Sequence, residues 1–90
     1  MKRLEVLVKG KVQGVNFRRH VKSLAEAKGL KGQVRNLPDG DVEFIVEGDK
    51  ADLLNLIEEI RVASPPIRVE YMDILWSDAT DGFSDFSIVR

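Results

Sequence analysis

Between Gly10 and His20 the chain reads GKVQGVNFRRH, with two glycines four residues apart and no aspartate or glutamate in the stretch. An alternating, strand-like pattern precedes it and a helix-like pattern follows. A turn from a strand end into a helix start offers the first backbone N–H groups of the helix, which lack intrahelical acceptors and lie at the positive end of the helix dipole. Glycine lets the backbone approach a ligand closely. Arg18 adds a planar fork of donors suited to phosphate oxygens. The chemistry on offer is therefore anion binding, with phosphate the best match. The spacing is neither GxGxxG nor GxxxxGK followed by Ser or Thr. On residue types alone two readings stand, a phosphate cradle and a tight turn bearing a solvated arginine.

Asn36 ends the GQVRN segment, where asparagine is a common turn residue, with a carboxamide that both accepts from and donates to a water. His20, the only histidine, lies two residues from Arg18 and so points about 200° around a helix. It is expected on the helix surface and not as a base. With one histidine and no cysteine, a zinc site is not expected. Asp78, Asp81 and Asp85 do not follow calcium-loop spacing and are expected on a solvated loop face. Tyr71 and Trp76 are expected to pack. No metal and no cofactor is expected.

These residues need a scaffold. Leu4, Val6, Val8 and Val12 alternate as in a strand. Phe17, Val21, Leu24 and Ala25 recur every three to four residues, the pattern of an amphipathic helix that stops at Lys28-Gly29. GQVRN and VEFIVEG flank Pro38-Asp39-Gly40, which predicts a hairpin. Asp49 is placed to cap a second helix, with Leu53, Leu56, Ile57 and Ile60 on one face and Ser64-Pro65-Pro66 as its stop. Ile67–Trp76 and Phe83–Val89 read as strands, separated by the loop SDATDG. The order βαββαβ with an extra C-terminal strand predicts an α+β, ferredoxin-like α/β sandwich, with two helices on one face of an antiparallel sheet.

Ninety residues suit a single domain spanning 1–90. No apolar run reaches membrane-spanning length, and MKRLEVLVKGK lacks the apolar stretch of a signal peptide. Cytoplasmic residence and no membrane partner are the expectations. The net charge of −1 conceals an uneven distribution: residues 1–35 hold ten Lys/Arg and two acids, residues 36–90 four Lys/Arg and thirteen acids. Such a split either favours an anionic ligand near the basic part or disappears when the two parts interleave.

Two segments carry a family likeness. VKGKVQGVNFR (Val8–Arg18) and GQVRNLPDGDVEFIVEG (Gly32–Gly48) resemble the two signature segments of the acylphosphatases. The likeness runs through nearly the whole chain, including Pro65-Pro66 and Phe86-Ser87-Ile88. It implies the ferredoxin-like fold and metal-independent hydrolysis of acyl phosphates to carboxylate and inorganic phosphate. It also implies that Gln13, Gly14, Val15, Asn16, Phe17 and Arg18 form the phosphate-binding loop. Within this assignment Arg18 binds the phosphoryl group and Asn36 positions the attacking water. The partner is then a small-molecule acyl phosphate, with inorganic phosphate as product and competitive inhibitor.

The chemistry accounts for the missing acid, since a carboxylate leaving group needs no proton and the phosphate itself can take one from the water. What remains is positioning and charge stabilisation. Two residues depart from the family pattern: Asn16 stands where a small or aromatic residue is more usual, and Gln33 where an aromatic is common. The alternative is a non-catalytic ferredoxin-like binding or regulatory module, such as an RNA-recognition domain or a domain kept for protein interaction or carbamoyl-phosphate handling. VEFIVEG lacks the aromatic RNA-binding motif, and the pI near 5.8 argues against a nucleic-acid partner. A free-standing enzyme, monomeric by default, is the expectation.

Overall fold

Leu4, Val6 and Val8 all point to one side of β1 (Lys2–Lys11), where they are fully buried. The computed structural model of the chain describes residues 1–90. After β1 come α1 (Phe17–Ala27), β2 (Lys31–Asn36), β3 (Val42–Gly48), α2 (Lys50–Arg61), β4 (Arg68–Asp78) and β5 (Phe86–Ile88). The strands form one sheet in the order β4-β1-β3-β2-β5. Phe17, Val21 and Ala25 from α1 and Leu53, Leu56, Ile57 and Ile60 from α2 join the inward strand residues in a single core. The helical spacing seen in the sequence thus places both helices on the same face. Complete burial of each large apolar side chain contributes about 1.5–3 kcal/mol.

Several details differ from the sequence-based expectation. The sheet is mixed, because β5 runs parallel to β2, pairing Gly32 with Phe86 and Val34 with Ile88. The reason is connectivity. β4 finishes beside the start of β1, with Asp78 opposite Lys2, and β2 starts at that same end of the sheet. A chain crossing that end enters β5 in the direction of β2. The closing strand is also three residues long and does not begin at Phe83. Phe83 belongs to the crossing loop, its ring centroid 5.7 Å from the Arg3 guanidinium carbon.

Asp49 occupies the N-cap of α2, but its side chain makes no capping bond. Its carbonyl oxygen instead accepts from Leu53 N at 3.0 Å. Tyr71 and Trp76 do not pack in the core; they are 56% and 39% exposed on edge strand β4. Glu70, Asp73 and Asp78 keep that edge charged, which discourages pairing with another strand.

Glu47 secures the crossing loop. Its buried carboxylate accepts from Thr80 N (2.9 Å), Thr80 Oγ1 (2.9 Å), Asp81 N (3.0 Å) and Arg3 Nη1 (3.1 Å). Burial pushes the carboxyl upward, but these donors outweigh it and hold the group below its ordinary value of 4.5. A lowered folded-state value means that the contribution to stability is complete above the unfolded value. It is lost as the pH falls through the folded value. Glu47→Gln is therefore expected to lower the urea midpoint most at neutral pH. The gap to the parent protein should narrow once the pH passes below the ordinary carboxylate range.

The uneven charge distribution largely interleaves on folding. Lys2, Arg3, Lys9, Lys28 and Arg35 pair with Asp78, Glu47, Asp41, Glu59 and Glu43 of the acidic part, and Lys22 pairs with Glu26. Arg18 and Arg19 pair with no carboxylate.

Candidate active site

The far end of β1, the start of α1 and the end of β2 meet at one end of the sheet. β1 reaches this end through a register shift at Lys9/Gly10. Gly10, at φ 138°, lies so close to β4 that a Cβ there would run into the Arg68 carbonyl oxygen. The chain then turns through Gly14 (φ 75°) and Asn16 (φ 61°, ψ 26°) into α1. The left-handed conformation of Asn16 gives a reason for this departure from the family pattern, because asparagine tolerates that region far better than most side chains. Gln33, the other departure, is half-buried in the middle of β2, with Ile45 opposite on β3 and Ser87 opposite on β5.

The N–H groups from Gly14 to Arg19 make no hydrogen bond to a protein acceptor. The first bond of the helix runs from His20 N to the Asn16 carbonyl, at 3.0 Å. A set of free donors at the positive end of a helix dipole is the physical content of an anion cradle. It borders a pocket of about 230 Å³ lined by Val12, Gly14, Asn16, Phe17, Arg18, Arg19, Asn36 and Ile88. No carboxylate lines it.

Asn36, the last residue of β2, also lines this pocket. Its Oδ1 is buried and has no hydrogen-bond partner in the protein. An unpartnered buried acceptor costs about 1–3 kcal/mol unless a ligand or water satisfies it. Arg18 and Asn36, eighteen positions apart in the sequence, are thereby brought to one pocket.

Of the loop residues expected to hold phosphate, Gly14, Asn16, Phe17 and Arg18 line the pocket. Val15 packs against the core. Gln13 turns its carboxamide away, donating from Nε2 to the carbonyls of Leu37 and Asp41 at 2.8 Å each. Arg19 and Ile88 were not expected at the site. The consecutive arginines were the available signal for Arg19; Ile88 depends on the strand pairing of β5. His20 is half-buried, not on the open helix surface, with a buried and unpartnered Nε2, and it does not line the pocket. Asp78, Asp81 and Asp85 are exposed, as expected, but Asp78 is the last residue of β4 and not part of a loop. No three His, Asp or Glu side chains converge as a metal site would require, and no helix is long and apolar enough to cross a membrane.

Comparison with known proteins places this geometry in context. The acylphosphatase family model matches residues 4–88. The acylphosphatase of Pyrobaculum calidifontis is 46% identical over 88 residues, covering 97% of this chain and 80% of that protein. The crystal structure of acylphosphatase from Bacillus subtilis superposes with a TM-score of 0.95 at 36% identity, covering 100% of both chains. An acylphosphatase structure from Coxiella burnetii gives 0.90 at 35% identity, over 98% of this chain and 92% of the other. The cradle, the arginine and the asparagine therefore sit in a chain whose sequence and fold agree from end to end with one group of proteins, and the chain belongs to the acylphosphatase family.

Proposed function

We propose that the pocket hydrolyses acyl phosphates, with Arg18 and the free N–H groups of the Gly14–Arg19 backbone holding the phosphoryl group and Asn36 orienting the attacking water. The observation that carries this reading is that Asn36, whose buried Oδ1 has no protein partner, lines the same pocket as Arg18. A water donating one proton to Oδ1 keeps a lone pair free for phosphorus. Its oxygen forms the new P–O bond as the bond to the acyl oxygen breaks, and the carboxylate leaves with the electron pair. The water proton passes to a phosphate oxygen, so the products are carboxylate and inorganic phosphate.

The protein supplies position and positive charge, which is most of what phosphoryl transfer asks of a catalyst. Because the leaving group is a weak base, the absence of a carboxylic acid or a histidine in the pocket is no obstacle. An alkoxide leaving group would need the proton that nothing here provides.

The test is phosphate release from acetyl phosphate and from a simple alkyl phosphate monoester, each with and without a strong chelator. Acetyl phosphate should turn over equally in both conditions, and the monoester should be at least roughly 100-fold slower, the lower scale of general acid catalysis. Turnover abolished by the chelator, or equal rates on the two substrates, would overturn the reading.

A further inference from the structure

The two halves of the proposed site are not joined by strand pairing. The β1–β3 ladder ends at Val8 opposite Val42, and from Gly10 onward β1 pairs only with β4. The cradle follows this tail of β1, whereas Asn36 lies at the end of β2, just before the turn Leu37–Asp41. Asn36 pairs with Val42 on β3, which lies opposite Val8 of β1, so the ladder holds its backbone on one side; nothing in the protein bonds to its buried Oδ1, and on the other side it is held by the turn just beyond it.

Two side chains hold that turn to the β1 tail. Lys9 Nζ reaches Oδ2 of the buried Asp41 at 2.7 Å from a half-exposed position. Gln13 is part-buried and uses both hydrogens of Nε2, one on the Leu37 carbonyl and one on the Asp41 carbonyl, each at 2.8 Å. Both partners are acceptors, so only the amide nitrogen can face them and its orientation is fixed. The same two residues close the turn, Leu37 N donating to the Asp41 carbonyl at 2.8 Å. Gln13 thus grips the base of the turn, one residue after Asn36, while its own backbone leads directly into Gly14.

We infer that Gln13 is a positioning residue that sets the distance between the phosphate cradle and the water-orienting Asn36. The inference rests on the catalytic reading proposed for Arg18 and Asn36. If it holds, loss of the amide leaves the cradle able to bind phosphate but lets Asn36 drift relative to it. A displacement of about 1 Å between reacting groups costs up to roughly 100-fold in rate.

A double-mutant cycle between Gln13→Met and Asn36→Ala tests this, with kcat on acetyl phosphate and the inhibition constant of inorganic phosphate as readouts. Gln13→Met alone should lower kcat by roughly 10- to 100-fold and leave the phosphate inhibition constant little changed. Added to Asn36→Ala, it should cause no further loss of kcat, because the group it positions is already gone. Circular dichroism checks folding. If Gln13→Met does not fold, Gln13→Ser, which opens space for water at both carbonyls, is put through the same cycle. Fully additive losses, or phosphate affinity falling in step with kcat, would overturn the positioning role while leaving an impaired Asn36→Ala enzyme in agreement with the catalytic reading. An Asn36→Ala enzyme with unchanged kcat would overturn that reading and this inference together.

Discussion

Asn36→Ala is expected to lower kcat by roughly 100-fold or more, the scale of a misplaced reactant, while inorganic phosphate inhibits at a similar concentration. The split follows from the division of labour in the pocket. In the proposed reading the cradle donors and Arg18 hold the phosphate, whereas Asn36 contributes a buried acceptor with no protein partner. Asn36→Asp should do no better near neutral pH. Its carboxylate would accept from a water, but it would also set a negative charge beside a phosphate dianion. Steady-state kinetics together with phosphate inhibition decide the matter. Unchanged kcat would remove the water-orienting role; lost phosphate affinity with kcat preserved would make Asn36 part of the cradle.

Arg18→Lys is expected to be nearly as damaging as Arg18→Ala. Lysine retains the charge but replaces a planar fork, able to hold two phosphate oxygens at once, with a single ammonium on a flexible stem. Hydrogen bonds to charged groups contribute about 1.5–3 kcal/mol each. Losing such a bond gives a fall in kcat/KM of roughly 10- to 150-fold. Circular dichroism on the same preparations separates this from misfolding. A lysine variant with most of its activity intact would mean that Arg18 attracts phosphate in general and does not clamp it.

Arg18 and Asn36 were both legible as candidate site residues, for different reasons. Arg18 follows a glycine turn at a helix start, where local chain physics alone suggests an anion site. Asn36 carries no such local signal, and only the likeness of its segment to a family signature singled it out. The helices were legible because Phe17, Val21 and Ala25, or Leu53, Leu56, Ile57 and Ile60, repeat with the period of one buried face.

What was not legible depends on contacts between segments far apart in sequence. Gln13 belongs to the cradle by position, yet its carboxamide is committed to Leu37 and Asp41. The parallel course of β5, and with it Ile88 at the pocket, is set by where β4 ends. The left-handed turn at Asn16 could not be distinguished from an ordinary helix start, because asparagine is at home in either.

The pattern of ion pairs bears on how a substrate arrives. Folding uses the acidic part of the chain to neutralise cations along the sheet and between the helices, from Lys2–Asp78 to Arg35–Glu43, but leaves the adjacent Arg18 and Arg19, like Lys11, Lys31, Lys50 and Arg90, without a carboxylate partner. A molecule with a net charge of −1 thus keeps a local positive field at the mouth of its pocket. Approaching dianions feel that field over a Debye length, about 8 Å at physiological salt. Near the pocket it draws them in before any hydrogen bond forms. Capture is the part of the catalytic cycle that dissolved salt weakens; the chemical step, inside the pocket, is far less exposed to it.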